Sequence, residues 1–175
     1  EMKSDYASAY NNMGLILEQA EDVDGAAQQY MLAIWIDKTV PGPYINLGNA
    51  LSKQEGKLDE AMAAYQKALA LEPQSVEANA NKAHVLERMG DVHGAEEALR
   101  SALQVEPSLA EGHAALGHLL SNIPGRETEA KEALDHALML NPNVGRSSSK
   151  NNAGNSNENA AAASGGAASN LNDEL

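Results

Sequence analysis

Asn12, Asn46 and Asn81 stand 34 and 35 residues apart, and each lies two residues before a small residue, Gly14, Gly48 or Ala83. An amide side chain both donates and accepts, so a row of amides can pair with the backbone N–H and C=O groups of an extended peptide whatever its sequence. Asn49 follows Asn46 within one helical turn, and Lys53 and Arg88 follow Asn46 and Asn81 at the same interval, which adds one amide and two cations to the row. His84 and His118 come directly after Ala83 and Gly117. Two imidazoles can share a metal, but a tetrahedral site needs further ligands at defined spacing and none stands near, so both read as polar side chains lining a groove. The absence of cysteine excludes disulfides, thiolate metal sites and cysteine nucleophiles. No strand-to-helix nucleophile elbow and no glycine-rich phosphate cradle is present. The chemistry on offer is recognition rather than catalysis: no enzymatic activity, no cofactor and no metal are expected.

What must position these residues is a helical hairpin. Tyr44, Leu47, Gly48 and Leu51 put one apolar stripe along a first helix; a turn follows at Glu55-Gly56; Ala61, Tyr65, Ala68 and Leu69 stripe a second, and Pro73 ends it. The pattern recurs. Ala26, Ala61, Ala95 and Ala130 are followed four residues later by Tyr30, Tyr65, Leu99 and Leu134, while Gly14, Gly48, Ala83 and Gly117 are followed three later by Leu17, Leu51, Leu86 and Leu120. The spacing predicts helices at 5–20, 24–37, 43–54, 58–71, 75–89, 92–105, 109–122 and 127–140. In these positions the sequence resembles the tetratricopeptide repeat (TPR) family, whose pattern has a period of about 34 residues. The resemblance implies an all-α, right-handed superhelical solenoid of four antiparallel hairpins, at about 7–40, 41–75, 76–109 and 110–143. It also implies a concave groove lined by the first helices. Departures from the pattern are Asn79 and His113 for the first aromatic, Lys82 for leucine and Glu21 for the turn glycine.

The amide row is similar to the asparagine ladder in the repeat array of O-linked N-acetylglucosamine transferases, which holds substrate polypeptide by its main chain. Ala115 stands at the fourth rung. The expected function is a protein-interaction scaffold that takes an extended segment in its groove. One alternative is a substrate-presenting segment of a larger enzyme such as a glycosyltransferase; another is a self-associating structural adaptor. Repeat proteins that grip the acidic C-termini of chaperones use a clamp of lysines and arginines, and here the corresponding positions hold Asn11, Glu77 and Asn81, or Ile45, Glu111 and Ala115. The resemblance therefore implies a neutral or basic peptide as partner, because Glu77, Glu87 and Glu111 repel an acidic one.

The formal net charge is -13, with no cluster of Lys and Arg, and this speaks against nucleic acid, whose phosphates require a basic stripe. No apolar run is long enough to insert into a membrane. In the second helix of the first hairpin, Met31, Leu32 and Trp35 occupy positions that are solvent-facing in the second hairpin. They serve either to contact a segment preceding residue 1 or as a convex-side interface for a partner or second copy. From 144 to 175, Ser, Asn, Gly and Ala supply 24 of 32 residues, a low-complexity composition that predicts disorder. Its last four residues, Asn172, Asp173, Glu174 and Leu175, resemble an endoplasmic-reticulum retrieval signal in three of four places. A cytoplasmic location is expected, with the reticulum lumen as the alternative should that signal be read.

Overall fold

The computed structural model describes residues 2–145. Its elements are α1 (Met2–Gln19), α2 (Val23–Ile36), α3 (Pro41–Ser52), α4 (Leu58–Leu71), α5 (Val76–Met89), α6 (Val92–Val105), α7 (Ala110–Ser121) and α8 (Glu127–Leu140). There is no strand among the described residues. The sequence expectation of eight helices holds, with shifts at the ends. Helix α3 starts at Pro41 rather than 43, because a proline in the first turn gives up only an N–H that has no intrahelical acceptor. The low-complexity tail from residue 146 onward, with the tetrapeptide Asn172, Asp173, Glu174 and Leu175, lies outside the described residues.

Each odd-numbered helix packs against the even-numbered helix that follows it, and successive hairpins stack α2 on α3, α4 on α5 and α6 on α7. All eight helices belong to one compact unit that ends at Val144, an α-helical solenoid in which no hairpin buries both of its faces alone. Close approach within a hairpin depends on missing side chains. A Cβ on Gly14 would sit 2.4 Å from the Tyr30 ring, and one on Gly48 would sit 2.6 Å from the Tyr65 ring. Both tyrosines and the alanines beside them, Ala26, Ala33, Ala61 and Ala68, are buried. Met62 packs against two of the hydrophobic clusters and so ties neighbouring hairpins together.

Local signals end and start the helices. Asp22, Ser75 and Asp91 cap α2, α5 and α6 by accepting from the backbone N–H groups of Gly25, Ala78 and Gly94. The tight turn inside each hairpin uses left-handed backbone, supplied by Gly56, Gly90 and Gly125 in the last three. In the first hairpin Glu21 takes that conformation at φ 62°. A Cβ there costs about 1–2 kcal/mol relative to glycine, so the first turn is the strained one.

Candidate functional site

The inner face of α1, α3 and α5 carries a polar cleft of about 440 Å³, lined by Glu18, Asn49, Ser52, Lys53, Tyr65, Asn81, His84 and Arg88. Five residues singled out from the sequence, Asn49, Lys53, Asn81, His84 and Arg88, are thus brought together. Asn12, Asn46 and His118 are not among its lining residues. Asn12 and His118 are exposed, and Asn46 is half-buried one rung away.

The amides are tied laterally, helix to helix. Asn46 Nδ2 donates to Asn11 Oδ1 at 2.9 Å, joining α3 to α1, and Asn81 Nδ2 donates to Asn49 Oδ1 at 2.9 Å, joining α5 to α3. The hydroxyl of Tyr65 donates to the same Asn49 oxygen at 2.6 Å. Burial pushes the Tyr65 phenol up to about 12; the Ser52 side chain acts against this, and the negative charges of Glu77 and Glu18 act with it. The ring therefore stays neutral and remains a donor across the physiological range. These bonds hold the amides in fixed orientations while leaving capacity unspent: Asn46 and Asn81 each keep a carbonyl oxygen, and Asn11 keeps an NH₂ group.

The cations are engaged as well. Lys53 Nζ lies 2.8 Å from Glu18 Oε1, and Glu18 Oε2 accepts from the Tyr30 hydroxyl at 2.7 Å. Burial, followed by the hydrogen bond to Glu18, pushes the Tyr30 phenol far above the ordinary range. The Arg88 guanidinium donates to the backbone carbonyl of Ser52 and so satisfies the C-terminal end of α3.

Asn11, Glu18, Ser52 and the Tyr65 hydroxyl belong to this network and were missed by the reading of the sequence. The signal that could have found them is a separation near one repeat length between unlike residues: 35 for Asn11 with Asn46, 35 for Glu18 with Lys53 and 36 for Ser52 with Arg88. Aligning like with like finds equivalent positions, whereas packing joins neighbours. Elsewhere, His113 places Nε2 2.9 Å from the Pro107 carbonyl oxygen, and its ring centroid lies 4.2 Å from that of His136. Among the described residues no group of three potential ligands could hold a metal ion, and no helix is long and apolar enough to cross a membrane.

A family model for the TPR repeat matches residues 53–90, and one for the tetratricopeptide repeat matches residues 7–39 and 76–109, together just over half of the chain. The chain belongs to the tetratricopeptide-repeat family. The fourth hairpin lies beyond those matches, and its membership rests on the geometry of α7 and α8, where Gly117 meets Leu134 as Gly48 meets Tyr65. No curated protein matches the sequence. Among solved structures, pilF of Pseudomonas aeruginosa superposes with a TM-score of 0.74 at 23% identity, over 82% of this chain and 64% of that one. YrrB, a TPR protein with an unusual peptide-binding site, gives 0.67 at 22% identity, over 79% and 70%. The first TPR domain of Spaghetti (RPAP3), bound to the HSP90 peptide SRMEEVD, gives 0.64 at 19% identity, over 66% and 94%. At these identities the likeness is one of fold.

Proposed function

We propose that this TPR array is a protein-interaction scaffold that binds an extended polypeptide segment, neutral or basic in charge, along the inner face of α1, α3 and α5. The observation that carries the reading is the pair of lateral amide bonds, Asn46 to Asn11 and Asn81 to Asn49. A side chain already fixed by a neighbour loses little rotamer freedom when a peptide arrives, so its remaining donor or acceptor contributes most of its hydrogen-bond energy. Main-chain groups of an extended peptide are the natural complement to such amides. Support also comes from two neighbours in fold, one with a peptide-binding site and one bound to a peptide.

The charge preference follows from the same geometry. Lys53 is paired with Glu18 and Arg88 with the Ser52 carbonyl, while Glu77, Glu87 and Glu111 are exposed on the same series of helices. An acidic peptide such as the one held by the Spaghetti domain meets net repulsion here.

The test is a set of unstructured peptides of equal length and graded charge, titrated calorimetrically into the full chain and into an Asn46→Ala, Asn81→Ala variant. Basic and neutral peptides are expected to bind in preference to acidic ones. The variant should lose about tenfold in affinity, as two hydrogen bonds of about 0.5–1.5 kcal/mol each imply, with an unchanged circular dichroism spectrum. Equal binding by both proteins rejects the amide row, and a preference for acidic peptides rejects the charge assignment.

A further inference from the structure

The outer side of the array has its own repeating feature, a cleft between the second helices of successive hairpins floored by the first helix between them. The residue after each mid-hairpin alanine varies from one hairpin to the next: Ala27, Met62 and Glu96 occupy that position in the first three. Between the second and third hairpins the Met62 side chain packs against the cores on both sides. Between the third and fourth, a cleft of about 570 Å³ remains, but Glu96 reaches Arg126 at 2.9 Å and Arg100 reaches Glu129 at 3.4 Å, so ion pairs run from α6 to α8 beside it. Between the first and second, Ala27 leaves a cleft of about 640 Å³, and Met31, Ile34, Tyr44, Leu47 and Ala63 are among the residues that line it. Among the described residues no ion pair joins α2 to α4 across it.

The wall of that cleft carries what would fill it. Along α2, Met31, Leu32 and Trp35 are 51%, 42% and 76% exposed. Asp24 is the single charged residue of that helix. Met31 and Ile34 line the cleft, and Trp35, the next residue along α2, lies outside the lining, where its side chain is free to reach a neighbouring copy. A bare apolar donor and a bare apolar acceptor side by side on one surface is the arrangement that a two-fold interface requires, since the same patch must serve both copies. Charge points the same way. The chain carries -13 overall, so two copies repel over most of their surface, but the charged residues lining this cleft are Asp24 and Glu60 against Lys57 and Lys67. It is a neutral window in an acidic molecule.

We propose that the α2–α3–α4 cleft is a homodimer interface in which Trp35 of each copy docks into the cleft that Ala27 leaves open in the other. The occupant is a second copy of this chain, and the contact lies on the opposite side of the array from the amide groove, so it stands independently of the peptide-binding reading.

Sedimentation equilibrium of the full 175-residue chain over a range of concentrations tests this. A mass approaching twice 18.4 kDa is expected as concentration rises, with a blue shift of the emission of Trp35, the single tryptophan. Two variants locate the contact. Trp35→Ala removes the docking side chain; Ala27→Met fills the cleft with the residue that the chain itself uses at position 62. Each is expected to raise the dimer dissociation constant at least tenfold, with helical content unchanged and, at dilutions where the parent is monomeric, a thermal midpoint no lower than that of the parent. A chain that stays monomeric at all concentrations overturns the proposal and leaves the cleft to a different protein. Dimerisation that survives Ala27→Met overturns the assignment to this cleft.

Discussion

The cleft between the first and second hairpins and the one between the third and fourth occupy equivalent places on the same scaffold, yet they are finished differently. Leu116 and Leu120 floor the later cleft and are buried, Leu120 to 1% exposure, whereas their counterparts Leu47 and Leu51 floor the earlier one and remain partly exposed. The later cleft is bridged by Glu96, Arg100, Arg126 and Glu129; the earlier is walled by Ala27 and Met31, with Lys57 paired to Glu60 on its own helix instead of reaching across. The difference teaches that a repeat array can set charge across one opening and leave the equivalent one apolar: ion pairs run beside the later cleft, and none crosses the earlier among the described residues.

The largest expected effect lies in the floors. Leu120→Ala removes a fully enclosed side chain and should cost about 2–5 kcal/mol in denaturant unfolding, whereas Leu51→Ala, already in part solvated, should cost about half as much. Equal costs would show that the two clefts are enclosed to the same degree. A smaller change of opposite sign is expected at the wall. Ala27→Met should stabilise the fold by about 0.5–2 kcal/mol, because it fills space that the rest of the chain leaves open. Destabilisation by that substitution would mean that the earlier cleft cannot accept what its neighbour holds.

Smallest is the effect of pH. The hydrogen bond from Arg126, ahead of that from Arg100, holds the Glu96 carboxyl below its ordinary value, and Glu129 is lowered in the same way, with Arg126 again the main cause. A carboxylate whose folded pKa is depressed stabilises the fold above its unfolded value, and that contribution disappears as pH falls through the folded value. The thermal midpoint should therefore drop as pH is lowered below about 4.5, the ordinary value. In Arg126→Met the drop should be shallower, because Glu96 then loses the main partner that keeps it ionised. Identical acid profiles would place the ion pairs of the later cleft among surface pairs of negligible weight.

Much of this was legible in the residues themselves. The alternation of Gly14 with Tyr30 and of Gly48 with Tyr65 can be read from spacing, because a helical hairpin repeated at a fixed period allows few registers. The turn strain at Glu21 is equally visible, since glycine stands at the same place in the next three turns. The amide row was legible as equivalent positions but not as contacts. Asn46 bonds to Asn11 rather than to its counterpart Asn12, because adjacent first helices meet across a stagger that a one-dimensional alignment does not contain. For the same reason Lys53 and Arg88 read as free groove cations in the sequence, and only the fold shows Glu18 and Ser52 waiting beside them.

The sequence by itself determined the hairpin, its period and the exposed apolar run at Met31, Leu32 and Trp35, because these follow from helical periodicity and from comparing each hairpin with the next. The tertiary structure alone decided that Ala27 lines an apolar cleft beside that run with no ion pair across it among the described residues, while ion pairs from Glu96 and Arg100 run beside the cleft of the later hairpins. The physical reason is that a cleft is a relation among three helices: whether a small side chain leaves space depends on what the facing helices bring to it, and that is fixed only when the hairpins stack.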